Sequence, residues 1–453
     1  MKYKKEQLEI SALSALRKVL KNPQATWTSD AQKQGILASV RRDTDIFAIM
    51  ATGSGKTMLP IIPAVLEESM ITIVILPLKS LVTDYKRKLE TMGIPYEHFK
   101  GSQSRSVSGR CNLVLVTIDV ARTSHWKQCI GEINAKVPIG RIVVDEAHYA
   151  ITSDDFRPAL QNVYEVRIGP VPLIILSGTI PPRSEDPMKN AYGLSSNALV
   201  LRTSTDRPEL EYLLRPRFSS NEAVLDETVN IVRAHQDCFA HRDRTLIYVP
   251  YLDNGIQIAK ALGCEFYNGD RKSLSDEERE NIYQRWISGS HKVMVCTSAF
   301  SAGNDYSHTR LVIHAGTPLE MIGFIQEMSR GGRDHRHARC YILPKSSNHP
   351  APLPGDLKGV MDVHNLVHKN QQCIRFQITL FCDGKGILCK EQPGAYSCNY
   401  CRKKGKATER TSRKIETMSV VVLFILFMIC NLVNRSAKQD ETNIQSTSHH
   451  HQQ

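Results

Sequence analysis

The chain has 453 residues, of which 41% are apolar and 23% are charged. This composition excludes a disordered or collagenous chain, and at roughly 150 residues per domain the length allows about three domains. Lys and Arg number 58 against 46 Asp and Glu, and the resulting net charge of +12 suits a polyanionic partner such as nucleic acid without requiring one.

The first 26 residues are charged and amphipathic and contain no apolar stretch of signal-peptide length. They predict an N-terminal helical extension over 1–26. Most cysteines outside the C-terminal part stand singly in or beside apolar runs, as reduced thiols do. The sequence therefore predicts a chain that resides in a reducing compartment; the cysteines concerned are Cys111, Cys129, Cys238, Cys264 and Cys296.

Short β-branched runs alternate with helical patterns in two successive series. Continuous apolar runs of this kind are typical of strands buried on both faces, so the fold class is α/β with two parallel-sheet lobes. We predict a first lobe over 27–203, a connection over 204–222, a second lobe over 223–344, a cysteine-rich module over 345–405 and a tail over 406–453. The expected strands are 46–50, 71–76, 113–117, 142–145 and 173–176, then 245–249, 293–296 and 311–314.

The first expected strand runs directly into the sequence ATGSGKT at 51–57. Met50 stands where the strict G-x-x-x-x-G-K-[ST] template has its first glycine, but the remainder carries the chemistry of a phosphate loop. Glycines let backbone N–H groups converge on phosphate oxygens, the lysine supplies a point charge and the threonine hydroxyl reaches Mg²⁺. A Gly-Ser turn that merely contains a lysine is the alternative. The expected nucleotide ligands are Ala51, Thr52, Gly53, Ser54, Gly55, Lys56 and Thr57, with Lys56 also catalytic and Thr57 also a metal ligand.

An acidic pair ends the strand expected at 142–145, in the sequence Asp145-Glu146-Ala147-His148. Open α/β sheets place ligand chemistry at the carboxyl ends of their strands. Asp145 fits the residue that holds Mg²⁺, and Glu146 fits the base that orients the attacking water. His148 has the simpler expected role of linking the two lobes through hydrogen bonds.

With these motifs in order, the chain resembles the RecQ-like DNA helicases of superfamily 2, and most closely the telomere-linked RecQ-type helicases of filamentous fungi. The match runs from residue 27 to 401. Trp27 and Gln32, followed by Ile36, resemble the adenine-reading motif, with Gln34 as an alternative to Gln32. The "PLxxLxxD" segment over 76–84 implies contact with the DNA backbone, residues 155–158 match the end of an aromatic-rich loop, and 177–179 resemble the Ser/Thr-Ala-Thr that couples hydrolysis to movement.

In the second lobe, residues 297–305 resemble "AT-AFGMGID" and residues 326–334 resemble "QExGRAGRD". The resemblance implies that Gly303, Asp305 and Gln326 contact the nucleotide. Arg330 and Arg333 are three residues apart, so one helix face presents both. Across a cleft from the phosphate loop they would neutralise charge on the transferring phosphoryl group, and an Arg-rich solvated face is the alternative.

The resemblance implies a nuclear, ATP-dependent DNA helicase of the DEAH-box kind that moves 3′→5′ on single-stranded or branched DNA in recombination and repair. Some positions depart from the family pattern. Asn268 replaces the histidine of "YHAG", and the stretch 149–154 directly before 155–158 lacks the tryptophan that the family has there. No stretch of winged-helix length precedes the tail, which makes hydrolysis a firmer expectation than processive unwinding. A DNA-binding ATPase switch, a decayed helicase and an RNA helicase therefore remain alternatives.

The last cysteines follow the spacing Cys373-x15-Cys389-x8-Cys398-x2-Cys401. Four thiolates at such spacing can enclose one tetrahedral Zn²⁺, and closed sites of this kind are structural. Cys382 is an alternative to Cys389, and a set of free thiols is the alternative to zinc. The resembled family carries a zinc module at this place in the chain.

The tail contains an apolar run over 418–433, preceded by basic residues. A bilayer span takes about 20 apolar residues, and shorter runs are more often buried or interfacial. Membrane anchoring through this run is therefore the minor expectation beside a nuclear protein.

Overall fold

The computed structural model describes residues 5–51, 53–152, 163–167, 169–270, 272–301, 305–346, 352, 354–369 and 372–405. The chain divides into two compact units, residues 1–398 and 399–453. The first unit contains two parallel sheets and the helices that pack on them. Several expected features lie outside the described residues: Thr52, Gly303, the loop 155–158 and the tail with its apolar run.

The first sheet has seven parallel strands in the order β3-β4-β2-β5-β6-β1-β7. Its central strands are buried along their whole length, as expected of runs without polar alternation. Each expected strand of the first series is present. The strands are β1 Ile46–Ile49, β2 Ile71–Leu76, β3 Glu97–His98, β4 Leu113–Thr117, β5 Ile139–Val144, β6 Leu173–Ser177 and β7 Leu199–Arg202.

Helices cover this sheet, and the N-terminal extension is one of them. Leu8 and Leu16 of the first helix are buried in the same core as Val74 of β2, so the extension is part of the first lobe's packing. The Ser29 hydroxyl accepts a hydrogen bond from the Gln32 backbone N–H at 3.1 Å and begins the second helix. The helices are α1 Lys5–Val19, α2 Asp30–Arg41, α3 Met58–Leu66, α4 Lys79–Met92, α5 Ile118–Ala121, α6 Ser124–Asn134, α7 Tyr149–Thr152 and α8 Glu185–Tyr192.

The second sheet has six parallel strands in the order β10-β11-β9-β12-β13-β8. Its strands are β8 Leu210–Leu214, β9 Arg244–Tyr248, β10 Glu265–Tyr267, β11 Val293–Cys296, β12 Thr309–Ala315 and β13 Ala338–Leu343. Strand β8 lies inside the stretch 204–222, which the sequence indicates as a connection because it contains prolines. The chain therefore enters the second sheet earlier than the sequence indicates. The helices of this lobe are α9 Asn221–Gln236, α10 Leu252–Leu262, α11 Asp276–Ser288 and α12 Met321–Met328.

Two further helices follow the second sheet, α13 Val360–Lys369 and α14 Ile374–Asp383. Helix α14 is attached to the segment between the sheets. Arg375 is completely buried and forms an ion pair with Asp206, and at the other end the Arg202 guanidinium donates to the Cys382 carbonyl at 2.9 Å. The two sheets and this helix are therefore tied together where the chain crosses from one lobe to the other.

The predicted fold class, two α/β lobes with parallel sheets, is confirmed. Among the described residues, no helix combines the length and apolar character that crossing a membrane requires. The first lobe carries its candidate residues at the carboxyl ends of β1, β2, β5 and β6, where parallel sheets bind ligands.

Candidate nucleotide site between the two sheets

The phosphate loop connects β1 to α3. Gly53 and Gly55 have φ angles of +86° and +80°, which favour glycine because a Cβ would be strained there. The Lys56 ammonium is buried and donates to the carbonyls of Met50 at 2.8 Å and Ala51 at 3.3 Å. Burial lowers the pKa of Lys56, while the nearby carboxylates oppose that shift. The loop thus holds a buried cation against two of its own carbonyl oxygens.

Gln32 is connected to this loop. Its Oε1 accepts from the Thr28 N–H at 2.8 Å, and its Nε2 donates to the Gly55 carbonyl at 3.3 Å. Trp27 is partly buried and packs against the first-lobe core, whereas Gln34 is exposed. The structure therefore brings Gln32, and not Gln34, to the phosphate loop.

The acidic pair follows β5 directly. Glu146 has a φ of +53°, and its N–H donates to Asp145 Oδ1 at 2.8 Å. Burial, followed by the charge of Glu146, raises the pKa of Asp145 to about 6. Burial alone would also raise the pKa of Glu146, but the hydrogen bond with His148 and the positive charges of Lys56 and Arg330 lower it below its usual value. Of the two carboxyl groups, Glu146 is the one held firmly as an anion.

These residues fit a divalent cation. The Asp145 carboxylate and the Thr57 hydroxyl line the same cleft, and hard oxygen donors of this kind are the ligands that Mg²⁺ prefers. Burial and then the repulsion from the partly exposed Glu146 carboxylate beside it raise the pKa of the buried Asp145 carboxyl. When bound, the cation would offset that repulsion and neutralise phosphate charge. Asp145 and Thr57 are the residues that would hold it.

His148 connects the acidic strand to the second lobe. Its Nδ1 lies 3.1 Å from the Ser177 Oγ and 3.2 Å from Glu146 Oε2, and its Nε2 lies 2.6 Å from the Gln326 Nε2. The Gln326 amide also donates to the Thr179 hydroxyl at 3.0 Å. Because an amide nitrogen only donates, His148 accepts at Nε2 and carries its proton at Nδ1. One glutamine of the second lobe thus bonds to both the acidic motif and the Ser-Gly-Thr motif of the first.

Arg330 and Arg333, the two candidate arginine fingers, lie in the turn after α12 and not on one helix face as the sequence indicated, because the helix ends at Met328. Arg330 donates to the Ser301 carbonyl, and Arg333 forms an ion pair with Asp305 at 2.5 Å. Burial, followed by the charge of Arg330, lowers the pKa of Arg333 to about 10. The guanidiniums of Arg330 and Arg333 line the same cleft and repel each other. An anionic phosphate group bound there would relieve that repulsion. Gln326 and Asp305, implied as nucleotide ligands, make protein contacts here: Gln326 with His148, and Asp305 with Arg333.

A lysine that the sequence analysis missed also reaches this cleft. Lys88 of α4 lies 2.9 Å from Asp84 of its own helix and 3.0 Å from Asp305 of the second lobe. Nearby carboxylates raise the pKa of Lys88 against the effect of burial. The only sequence signal was an acidic residue four positions earlier, which is a common helix-surface pattern.

One cleft of about 360 Å³ contains most of these groups. A second residue that sequence reasoning missed, Arg207, lines it too. Trp27, Gln32, Ala51 and Ser54 lie outside its lining, although Gln32 contacts the phosphate loop. The sequence-predicted residues that meet in the cleft are Gly53, Gly55, Lys56, Thr57, Asp145, Glu146, Asp305, Gln326, Arg330 and Arg333.

A second groove of about 460 Å³ also has walls from both lobes. The first lobe contributes residues 77–80 at the start of α4, within the "PLxxLxxD" segment. The second lobe contributes Tyr267, Gly269 and Arg279. Asn268, which stands where the family has a histidine, is buried and accepts hydrogen bonds from the Asp270 N–H and the Ser273 hydroxyl, both at 2.9 Å. That substitution therefore serves the turn that shapes this groove.

Three of the four candidate zinc ligands converge at the start of α14. The sulfur of Cys373 lies 3.4 Å from that of Cys389 and 3.8 Å from that of Cys398, and all three residues are buried. Buried thiols at these separations fit a soft, tetrahedral metal. Cys382 is buried elsewhere, at the other end of the helix. Cys401 belongs to the second compact unit and stays a prediction from its C-x-x-C spacing.

Two family models match the chain. The DEAD/DEAH box helicase model matches residues 29–187, and the helicase conserved C-terminal domain matches residues 225–335. These ranges correspond to the two lobes and include both halves of the cleft.

The curated relatives are helicases by name. The chain is 27% identical to the ATP-dependent DNA helicase hus2/rqh1 of Schizosaccharomyces pombe over 78% of its length and 27% of that protein. It is 29% identical to the bifunctional 3′-5′ exonuclease/ATP-dependent helicase WRN of Mus musculus, over 67% of this chain and 22% of that protein. It is 26% identical to the RecQ-like DNA helicase blm-1 of Caenorhabditis elegans, over 69% of this chain and 32% of that protein. The chain spans less than two thirds of the length of the curated relatives that it matches.

Solved structures share the two-lobed fold. Dbp5 of S. cerevisiae bound to RNA and ADP BeF3 matches with a TM-score of 0.58 and 14% identity, over 80% of this chain and 91% of that one. The Mycobacterium smegmatis helicase Lhr bound to ssDNA and AMP-PNP matches with a TM-score of 0.55 and 16% identity, over 79% of this chain and 50% of that one. At such identities the likeness concerns the fold.

Proposed function

We propose that this chain, which belongs to the RecQ-like group of the DEAD/DEAH-box helicases, hydrolyses ATP to move 3′→5′ along single-stranded DNA and to separate duplex DNA. The observation that carries this proposal is the cleft between the lobes. It holds Lys56, Asp145 and Glu146 on one wall and Arg330 and Arg333 on the other.

Each wall would supply half of the chemistry. The phosphate loop and Lys56 would bind the β- and γ-phosphates, Asp145 and Thr57 would hold Mg²⁺, and Glu146 would orient the attacking water. The guanidiniums of Arg330 and Arg333 would stabilise charge that develops on the transferring phosphoryl group, an effect worth ~10³–10⁵ in rate where it has been measured in GTPases. Complete catalysis then requires the lobes to be together.

This requirement would couple hydrolysis to movement. Gln326 bonds across the cleft to His148 and Thr179. A change in the cleft that follows the state of the nucleotide would therefore be transmitted to both lobes. The second groove also has walls from both lobes, and any change in their separation would change its shape. A strand held there by both lobes would be shifted as ATP closes the cleft and hydrolysis reopens it.

The zinc module would have a structural role. We propose that Cys373, Cys389, Cys398 and Cys401 bind one Zn²⁺, with the first three supported by their converging sulfurs and the fourth by sequence spacing. The same proposal locates the protein in the nucleus, where its DNA substrate is found. The net charge of +12 agrees with a nucleic-acid partner.

The test uses the purified full chain. ATP hydrolysis is measured alone, with single-stranded DNA and with RNA of matched sequence, and strand displacement is measured on a forked DNA duplex, with Lys56→Ala as the inactive control. DNA-stimulated hydrolysis together with displacement supports the proposal. Hydrolysis without displacement indicates the ATPase switch, and equal or greater stimulation by RNA indicates an RNA helicase.

A further inference from the structure

The segment that carries Arg330 and Arg333 is held by a residue of the chain segment between the two sheets. Helix α12 ends at Met328, and the chain then turns through Gly332, whose φ is +58°. The carbonyls of a turn that follows a helix lie outside the helical hydrogen-bond pattern, and when buried they need donors from elsewhere. Here the carbonyls of Ser329, Gly331 and Gly332 point toward one guanidinium.

That guanidinium belongs to Arg207, which lies in the segment between the sheets. Its NH1 donates to the Ser329 carbonyl at 3.2 Å, and its NH2 donates to the carbonyls of Gly331 at 2.9 Å and Gly332 at 3.0 Å. Its Nε forms an ion pair with Glu209 at 2.5 Å. All of these acceptors are main-chain or carboxylate oxygens, and the side chain is buried. One residue thus fixes the main chain on both sides of Arg330 and directly before Arg333.

The main chain around Arg207 is itself held by hydrogen bonds from helix α14. The completely buried Arg375 donates to the Arg207 carbonyl at 2.9 Å and to the Leu210 carbonyl at 2.8 Å, and it forms an ion pair with Asp206. The backbone on either side of Arg207 is therefore held by α14. A rigid backbone makes the Arg207 guanidinium a fixed point for the finger segment.

We propose that Arg207 is a positioning residue that holds the finger segment so that Arg330 and Arg333 face the phosphate loop. This inference rests on the proposed ATPase function and deepens it. A guanidinium has a planar fork of donors, so it can bond to three carbonyls that a single-point donor could not all reach. Without it, the carbonyls of Ser329 and Gly331 lose this donor, the Gly332 carbonyl keeps the His335 N–H, and the segment relaxes. Misplacement of a catalytic group by about 1 Å can lower the rate of a reaction by ~10²-fold.

The experiment compares Arg207→Met and Arg207→Lys with the wild-type full chain in DNA-stimulated ATP hydrolysis. Arg215→Met is the matched control, because Arg215 directly follows β8 as Arg207 precedes it, but Arg215 is exposed and pairs with Glu227. We expect Arg207→Met to lower kcat by ~10–100-fold with KM for ATP within about threefold. Arg207→Lys should recover part of the loss, since lysine keeps a donor without the fork. Arg215→Met should match the wild type.

A combined substitution tests whether Arg207 acts through the fingers. In a background that lacks both guanidiniums, Arg330→Ala with Arg333→Ala, Arg207→Met should lower kcat by a further factor of less than about three, because both groups that Arg207 positions are already missing. If Arg207→Met lowers kcat by the same factor in both backgrounds, the proposal is overturned. It is also overturned if Arg207→Met raises KM for ATP with unchanged kcat, because Arg207 would then bind the nucleotide itself. If Arg207→Met does not fold, as judged by thermal unfolding and ADP binding, Arg207→Lys supplies the same comparison. A wild-type chain without ATP hydrolysis would refute the proposed function instead.

Discussion

The hydrogen bonds made by Gln326 across the cleft give a prediction whose size can be worked out. The Gln326 amide lies 2.6 Å from the His148 Nε2 and 3.0 Å from the Thr179 hydroxyl, and His148 is almost completely buried. In Gln326→Ala both acceptors lose their donor from the second lobe. The variant therefore weakens the closed arrangement without changing the phosphate loop or the acidic pair.

The magnitude follows from the net value of a hydrogen bond. At roughly 0.5–1.5 kcal/mol each, two bonds contribute about 1–3 kcal/mol to closure. A difference of 1.4 kcal/mol is about tenfold in an equilibrium constant, so the equilibrium constant for closure should fall by about 5–150-fold. We expect kcat for DNA-stimulated ATP hydrolysis to fall by a factor in this range. ADP affinity should stay within about twofold of the wild type, because the first-lobe contacts remain.

Steady-state ATPase measurements at saturating DNA give kcat, and a titration with a fluorescent ADP analogue gives affinity. Gln128→Ala is a matched control, since Gln128 is exposed on α6 and bonds only within its own helix, to Glu132. The family resemblance implies a different role for Gln326, direct contact with the nucleotide. A large loss of ADP affinity with unchanged kcat would favour that role and refute the reasoning from closure.

Three further predictions concern the phosphate loop, the acidic pair and the cysteines. Lys56→Ala should abolish ATP turnover while DNA affinity by fluorescence anisotropy stays near the wild-type value, because the groove is a separate surface; normal turnover would refute the assignment. Since the pKa of Asp145 is raised to about 6, protons should compete with Mg²⁺ below that pH, and apparent Mg²⁺ affinity by calorimetry should fall about tenfold per pH unit between pH 6 and 5 and level off above pH 7; a flat profile would contradict this. Cys389→Ser should lose bound zinc, measured by metal analysis, and unfold at lower temperature, whereas Cys382→Ser should keep its zinc; the reverse result would exchange the two ligands.

The sheets were predictable because their physical signal is local. Strands buried on both faces are continuous apolar runs, and the runs at 71–76, 113–117 and 293–296 match β2, β4 and β11 residue for residue. Strand β8 was not predicted because it lies between prolines that suggest a loop. Its burial comes from pairing with β13, a partner more than 100 residues away, and no local pattern reports that pairing.

The cysteines show where spacing stops being informative. Cys382 and Cys389 are both compatible with a metal site in sequence, and only the path of the chain separates them. Helix α14 begins at Cys373 and carries Cys382 to its far end, where the backbone bonds to Arg202. The turn after the helix then returns Cys389 to the first cysteine. A helix of ten residues is about 15 Å long, so both cysteines at its two ends cannot share one ion.

Of the cleft residues that sequence reasoning missed, Arg207 has a physical reason for leaving no signal in the sequence. His148 and Gln326 could be anticipated as polar residues inside motifs, since each side chain requires a partner when buried. Arg207 is different, because its acceptors are main-chain carbonyls, and every residue has one. Nothing in the amino-acid sequence at 329–332 distinguishes carbonyls that accept a hydrogen bond from an arginine from carbonyls that face water. Catalytic groups can therefore be recognised from sequence motifs. The groups that hold them in place can be recognised only in the folded chain, which shows which side chain donates to which main-chain carbonyls.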